Sequence, residues 1–181
     1  LSLIFPGFGP AIFSHMSEWK YAATGGVLVD DSSEGRIKLG PFGIPSVRYD
    51  VTAIDQVKFI KAASKLAELY FAAGASEVYT AFHRHPVLKT PDEIKQLSES
   101  PPRIEDTEYF TSHLMGTCRM DGRNGQGVVD ETGQCVHVPN LYLADASVLP
   151  GTVGVNPQVT IMAMALFIGR RMSETLRPSR E

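Results

Sequence analysis

Three short segments in the last third of the chain carry residue types that could do chemistry. The first runs from His113 through Leu-Met-Gly-Thr-Cys-Arg-Met. Histidine is the side chain best matched to proton transfer near neutral pH, and the Gly-Thr pair after it predicts a loop with open space beside the imidazole. A histidine taken alone is more often a surface or packing residue, so this segment needs support from the other two.

The second segment is Asp145-Ala-Ser-Val-Leu-Pro, which follows the apolar run Asn-Leu-Tyr-Leu-Ala. The run predicts a strand over 140–145, so the polar residues would lie at its carboxyl end. Ligands in α/β folds gather at the carboxyl ends of strands. This segment is therefore a candidate binding element.

The third segment, Gly-Thr-Val-Gly-Val-Asn156-Pro157, is a flexible loop that leads into an apolar run. Asn156 is a good helix cap and Pro157 suits the first helical position, so we predict a long helix over 156–175. The free N–H groups and the dipole at a helix start favour electron-rich groups. On local chemistry alone, a purely structural role in which Asn156 only caps the helix is the favoured interpretation of this segment. Because the helix is apolar on nearly all faces, we expect it to be buried.

Taken together, the three segments resemble the C-terminal signature of the glucose-methanol-choline (GMC) oxidoreductases. The matching motifs are His-x-x-Gly-Thr-Cys-Arg-Met, Asp-Ala-Ser and Gly-Val-Asn-Pro. The resemblance is strong over 113–172 and weaker over 26–80. Members of this family are flavoenzymes that oxidise alcohols. The Gly-Val-Asn-Pro variant, with Asn in place of a second His, is similar to the sterol, choline and long-chain alcohol branches.

The resemblance implies roles for individual residues. His113 matches the active-site histidine that acts as a base toward the substrate hydroxyl, and Asn156 matches the residue that holds the same hydroxyl. The complete enzyme is expected to bind FAD and to oxidise an alcohol, for which the apolar residues favour a lipophilic one. The cofactor-binding residues implied in this way are Asp145, Ala146, Asn156, Pro157, Gln158 and Val159.

The elements that must position these residues are predicted from turn and capping signals. Gly26–Asp30 and Arg36–Leu39 are expected to form the two strands of a hairpin, and Ser46–Tyr49 to form a third strand. Thr52 predicts the start of a helix that ends at Gly74.

Two shorter elements are expected to follow that helix. Residues 77–80 are expected to form a short strand. A second, short helix should begin at Thr90 and end before Pro101.

The resemblance implies an α+β fold with a mixed or antiparallel sheet and helices on one face, plus a strand and a long helix that complete a FAD-binding domain. It places a substrate-binding segment at 1–129 and part of the FAD-binding domain at 130–181. No Gly-x-Gly-x-x-Gly segment after a strand is present, since Gly7-Phe-Gly9 lacks the third glycine. The chain also begins with Leu rather than Met. We therefore expect a piece of a longer protein that lacks the N-terminal FAD-binding half and binds FAD poorly by itself.

Composition excludes several other classes. The 181 residues are 43% hydrophobic and 20% charged, with a net charge of -3, which fits a globular domain and argues against a nucleic-acid partner. No apolar run reaches the roughly 18 residues of a membrane span. His83 and His85 have no further ligand at metal-binding spacing, so no metal site is expected. Cys118 and Cys135 are expected to be free thiols in a reducing compartment, which favours a cytoplasmic location.

A different class of function stays open on these observations. A non-catalytic binding domain derived from a GMC enzyme would keep the same motifs. Its long apolar helix would then need a protein partner to cover it.

Overall fold

The structure, a computed structural model, describes residues 5, 7, 9–121 and 125–176. The chain divides into two compact units, Leu1–Phe110 and Thr111–Glu181. Helices combine with small antiparallel sheets, so the fold class is α+β, as the sequence predicts. The assignment of a substrate-binding role to 1–129 and a FAD-binding role to 130–181 stays a prediction.

The first regular elements of the N-terminal unit are helix α1 (Pro10–Ser17) and a β-hairpin. Strand β1 (Gly35–Leu39) pairs antiparallel with strand β2 (Pro45–Tyr49). In the turn between them Phe42 has a φ of 59° and Gly43 a φ of 76°. Two consecutive residues with positive φ match the right-handed twist of paired strands, which explains why β1 pairs with the strand that follows it.

The strand predicted at Gly26–Asp30 does not form, and the expected hairpin between it and β1 is therefore wrong. The reason lies in the polar residues that were expected to make the turn. The backbone N–H of Ser32 and the hydroxyl of Ser33 both donate to the carboxylate of Asp55, at 3.1 and 2.9 Å. These residues are thus held at the start of the next helix and cannot turn a hairpin.

Helix α2 (Ala53–Ala72) confirms the predicted helix and both of its ends. The hydroxyl of Thr52 accepts the backbone N–H of Asp55 and donates to its carboxylate, at 3.2 and 2.8 Å. Gly74 follows with a φ of 96°, a conformation that ends helices and that glycine adopts without strain. Asp55 is 3% exposed, so this capping is buried.

The core of the N-terminal unit lies between α2 and the residues that follow it. Strands β3 (Val78–Tyr79) and β4 (Val87–Leu88) pair antiparallel, and the second predicted helix begins as a 3-10 turn at Pro91–Lys95 and continues as α3 (Gln96–Glu99). One apolar cluster joins these elements. Its buried members are Ile60, Ala67, Val78, Phe82, Leu88 and Leu97.

The C-terminal unit is built from short paired segments and one helix. Met120 pairs with Val129, which pairs in turn with Cys135, and Gln134 pairs with Tyr142. The predicted strand over 140–145 is thereby reduced to a single bridge. A turn before each of the two paired residues limits it, since Gly133 N–H donates to the Asp130 carbonyl at 3.0 Å and Asn140 has a φ of 63°.

Helix α4 (Gln158–Thr175) ends where the sequence predicts but begins two residues later. Its N-cap is Pro157, and Asn156 provides no side-chain cap. The Pro157 carbonyl accepts the first intrahelical bond, from Ile161 N–H at 2.8 Å. The rule that places proline at the first helical position is therefore displaced here by one residue.

The prediction that α4 is buried is wrong for this structure. Ile168 is 1% exposed and packs with Val129 and Val148, but this contact covers only one side of the helix. The opposite side carries apolar residues at helical spacing that remain in contact with solvent. They are Val159, Met162 and Leu166, which are 77%, 63% and 57% exposed. Among the described residues, no helix combines the length and the hydropathy that a bilayer crossing requires.

Candidate functional site

His113 lies in an irregular loop at the start of the C-terminal unit, where residues 111–116 form neither helix nor strand. Its side chain is half-buried and makes no hydrogen bond to another described residue. Its backbone N–H donates to the hydroxyl of Thr111 at 3.1 Å. An imidazole held in this way keeps both ring nitrogens available for another molecule.

The same loop is joined at its other end to the Asp-Ala-Ser segment. The backbone N–H of Cys118 donates to the Ser147 carbonyl at 3.0 Å, and that of Met120 donates to the Val148 carbonyl at 2.9 Å. Gly116 has a φ of 83°, and a Cβ atom there would lie 3.6 Å from the Leu149 carbonyl oxygen. Two of the three segments that the sequence singles out therefore contact each other directly.

Asp145 begins a short 3-10 helix, Ala146–Val148, with its side chain exposed. Contacts with Ser147 lower the pKa of the Asp145 carboxyl, and the backbone N–H of Ser147 donates to that carboxylate at 2.7 Å. The Ser147 Oγ atom is buried, and no hydrogen-bond partner for it is found among the described residues. A buried hydroxyl without a partner is costly, so this atom is suited to a ligand that approaches the turn.

The third segment places Asn156 on the surface, directly before the buried ring of Pro157. Gln158 and Val159 follow in the exposed first turn of α4. The first N–H groups of a helix have no acceptor within it, and they carry the positive end of its dipole. This turn can therefore hold an anionic or electron-rich group.

His113, Asp145, Ala146, Asn156 and the first turn of α4 all belong to the C-terminal unit. That the side chains of His113 and Asn156 reach one substrate hydroxyl stays a prediction. A cavity of about 900 Å³ lies elsewhere, between α2 and the 91–101 segment, and none of the predicted site residues lines it.

Metal-ligating side chains and thiols were also located in the structure. Within the described ranges, no group of three or more His, Cys, Asp or Glu side chains could hold a metal ion. Cys118 and Cys135 are both free and half-buried, as expected.

Sequence reasoning missed Thr111 and Gly133 as residues of this region. Thr111 lies two residues before His113, a spacing at which a hydroxyl commonly binds a backbone N–H, and this was the available signal. Gly133 has a φ of 82° and lies against Ile168 of α4. Its signal was the Asp-x-x-Gly order typical of a turn.

A comparison with known protein families gives a match that includes all three segments. The family model described as GMC oxidoreductase matches residues 31–165. The chain belongs to the GMC oxidoreductase family, and the resemblance inferred from the three segments is confirmed.

The relatives of this chain include oxidoreductases from plants and bacteria. A long-chain-alcohol oxidase of Arabidopsis thaliana is 30% identical over 98% of this chain and 26% of its own length. An uncharacterized GMC-type oxidoreductase of Mycobacterium tuberculosis is 34% identical over 92% of the chain and 26% of its own length. The chain thus spans about a quarter of the length of these relatives.

A solved structure with the same fold is pyridoxine 4-oxidase from Mesorbium loti. It aligns with a TM-score of 0.55 at 21% identity and covers 81% of this chain and 28% of its own. A cholesterol oxidase of Acinetobacter baumannii is 43% identical over 31% of the chain and 10% of its own length. Oxidases therefore recur among the relatives of this domain.

Proposed function

We propose that this chain forms part of an FAD-dependent oxidoreductase that acts on the CH–OH group of an alcohol. The observation that carries the proposal is the direct contact between the His113 loop and the turn at Ala146–Val148, in a chain that belongs to the GMC family. This contact brings a potential base and a potential cofactor-binding turn into one unit.

Two features of the C-terminal unit fit FAD. The exposed first turn of α4 presents free N–H groups and the positive end of the helix dipole, which favour phosphate and the electron-rich flavin ring. The buried Ser147 hydroxyl has no partner among the described residues and would gain one from a bound polar group. The residues that would hold FAD are Asp145, Ala146, Asn156, Pro157, Gln158 and Val159. The chemistry supplied by bound FAD is the acceptance of a hydride from carbon.

The proposed role of His113 is to take the proton of the substrate hydroxyl. Removal of this proton places negative charge on oxygen and makes departure of the hydride from the adjacent carbon easier, so that the alcohol becomes a carbonyl compound. The amide of Asn156 would hold the same oxygen and orient it toward the imidazole. Both side chains are accessible to another molecule, because His113 is half-buried and Asn156 is exposed.

The proposal also assigns a role to each of two parts of the chain and names a class of substrate. Residues 1–129 would contribute to the substrate site and 130–181 to the FAD site. A lipophilic alcohol is favoured, since relatives of this chain include a long-chain-alcohol oxidase and a cholesterol oxidase.

The test is the rate of flavin reduction by substrate in the complete enzyme that contains this chain. His113→Ala should lower this rate by about 10²–10⁴, the range for loss of a general acid–base residue. His137→Ala is the matched control, since His137 is exposed and lies in the same unit. Flavin reduction at the wild-type rate in the His113→Ala enzyme would remove this residue from the mechanism.

A non-catalytic binding domain is a second candidate, and the solvent-exposed apolar side of α4 favours it. Such a side usually finds a partner. Purification of the complete protein with bound, substrate-reducible flavin would exclude this candidate. A stable colourless protein that never takes up flavin would favour it.

A further inference from the structure

We propose that Thr111 is a positioning residue for His113, because its hydroxyl holds the backbone of the residue that carries the imidazole. The inference rests on the proposed function of His113 as a base. It adds a residue outside the motif that identified the site.

The observation is the hydrogen bond from His113 N–H to Thr111 Oγ1, at 3.1 Å. Among the described residues, it is the only hydrogen bond made by the backbone N–H groups of residues 111–117. Thr111 therefore supplies the local contact that holds this part of the loop. A hydroxyl that accepts an N–H two residues later is a common way to close a turn without secondary structure.

The other end of the loop is held independently. The N–H groups of Cys118 and Met120 donate to the carbonyls of Ser147 and Val148, so the loop is fixed from residue 118 onward. The residues between 113 and 118 include Gly116, whose positive φ allows the chain to turn. The Thr111 contact therefore limits the local conformations of the backbone at His113, in the part of the loop that the Cys118 and Met120 contacts do not reach.

The consequence for chemistry follows from the sensitivity of proton transfer to geometry. A displacement of about 1 Å at a reacting group can cost 10²-fold in rate. Thr111 is exposed, so loss of its hydroxyl should affect the position of His113 more than the stability of the unit.

The experiment compares Thr111→Val, which keeps the shape but loses the acceptor, with Thr111→Ser, which keeps the acceptor. Ser112→Ala is the matched control, because Ser112 is exposed and adjacent. In the holoenzyme, Thr111→Val should lower the limiting rate of flavin reduction by about fivefold, the equivalent of one hydrogen bond, with little change in substrate affinity. The Ser variant and the control should stay within twofold of wild type.

A second readout does not depend on catalysis. Hydrogen exchange of the His113 amide, measured by NMR, should be about tenfold faster in Thr111→Val and unchanged in Thr111→Ser. If His113→Ala slows the enzyme but Thr111→Val changes neither the amide exchange of His113 nor the rate of flavin reduction, the inference is overturned. Equal losses in the Val and Ser variants would also overturn it. If His113→Ala has no effect, the proposed function fails first and the positioning role fails with it.

Discussion

At the contact between Gly133 and Ile168, a single added carbon atom should strongly destabilise the C-terminal unit. A Cβ atom on Gly133 would lie 2.7–2.8 Å from three side-chain carbons of Ile168, which is 1% exposed and cannot move aside. The φ of Gly133 is 82°, which also strains any residue with a Cβ. Gly133→Ala should therefore push α4 away from the turn that supports it.

The expected cost of Gly133→Ala has two parts. The left-handed backbone costs about 1–2 kcal/mol, and overpacking against Ile168 adds about 1–3 kcal/mol. The sum is roughly 2–5 kcal/mol in the free energy of unfolding, a large share of the stability of a small domain. Urea unfolding followed by circular dichroism measures it.

Two further variants separate the causes. Gly169→Ala lies on α4 with no atom near the added Cβ, and it should stabilise the protein by about 0.5–1 kcal/mol through helix propensity. Ile168→Ala removes all three clashing carbons, so Gly133→Ala in that background should cost only the backbone strain. A cost below about 1 kcal/mol for Gly133→Ala alone, or an equal cost in both backgrounds, would refute the packing argument.

Two other predictions concern acid stability and cofactor affinity. Burial alone would raise the pKa of Asp55, but its hydrogen bonds to Thr52, Lys58 and two serines outweigh burial and hold it well below the usual range. The contribution of ionised Asp55 to the free energy of unfolding should thus be complete above about pH 4 and be lost as the pH falls further. When stability is measured against pH, Asp55→Asn should lack this loss. An acid transition that is the same in the variant and in wild type would contradict the assignment. The 181-residue chain alone should bind FAD weakly or not at all, and tight stoichiometric binding in a titration would show this to be wrong.

Local signals predicted the elements whose ends are set by nearby residues. Helix α2 is the clearest case, because Thr52 and Gly74 determine its ends through contacts within one turn. The strand predicted at Gly26–Asp30 failed because its neighbours Ser32 and Ser33 bind Asp55, more than twenty residues away in the sequence. No local pattern contains that information.

The candidate site was likewise predicted only in part from local signals. The residue types of the three segments were recognisable because proton transfer and helix-end binding demand particular side chains. The contact between two of those segments was not, because it runs through backbone groups of Cys118 and Met120 whose side chains do not matter to it. Thr111 was missed for a related reason, since its part in the site is to hold a backbone N–H rather than to react.

This backbone pairing also accounts for the composition of the His113 motif. In His-x-x-Gly-Thr-Cys-Arg-Met, the glycine permits the positive φ that turns the chain toward the Leu149 carbonyl. The N–H groups of Cys118 and Met120 then join the loop to the turn at Ala146–Val148, so neither residue needs to contribute thiol or thioether chemistry. The motif thus combines one side chain suited to reaction with several positions suited to holding it. Substitutions of Cys118 should be tolerated wherever the backbone path survives, whereas the side chain of Met120 also packs against the cluster of Val129, Val148 and Ile168. His113 has no substitute with the same proton affinity.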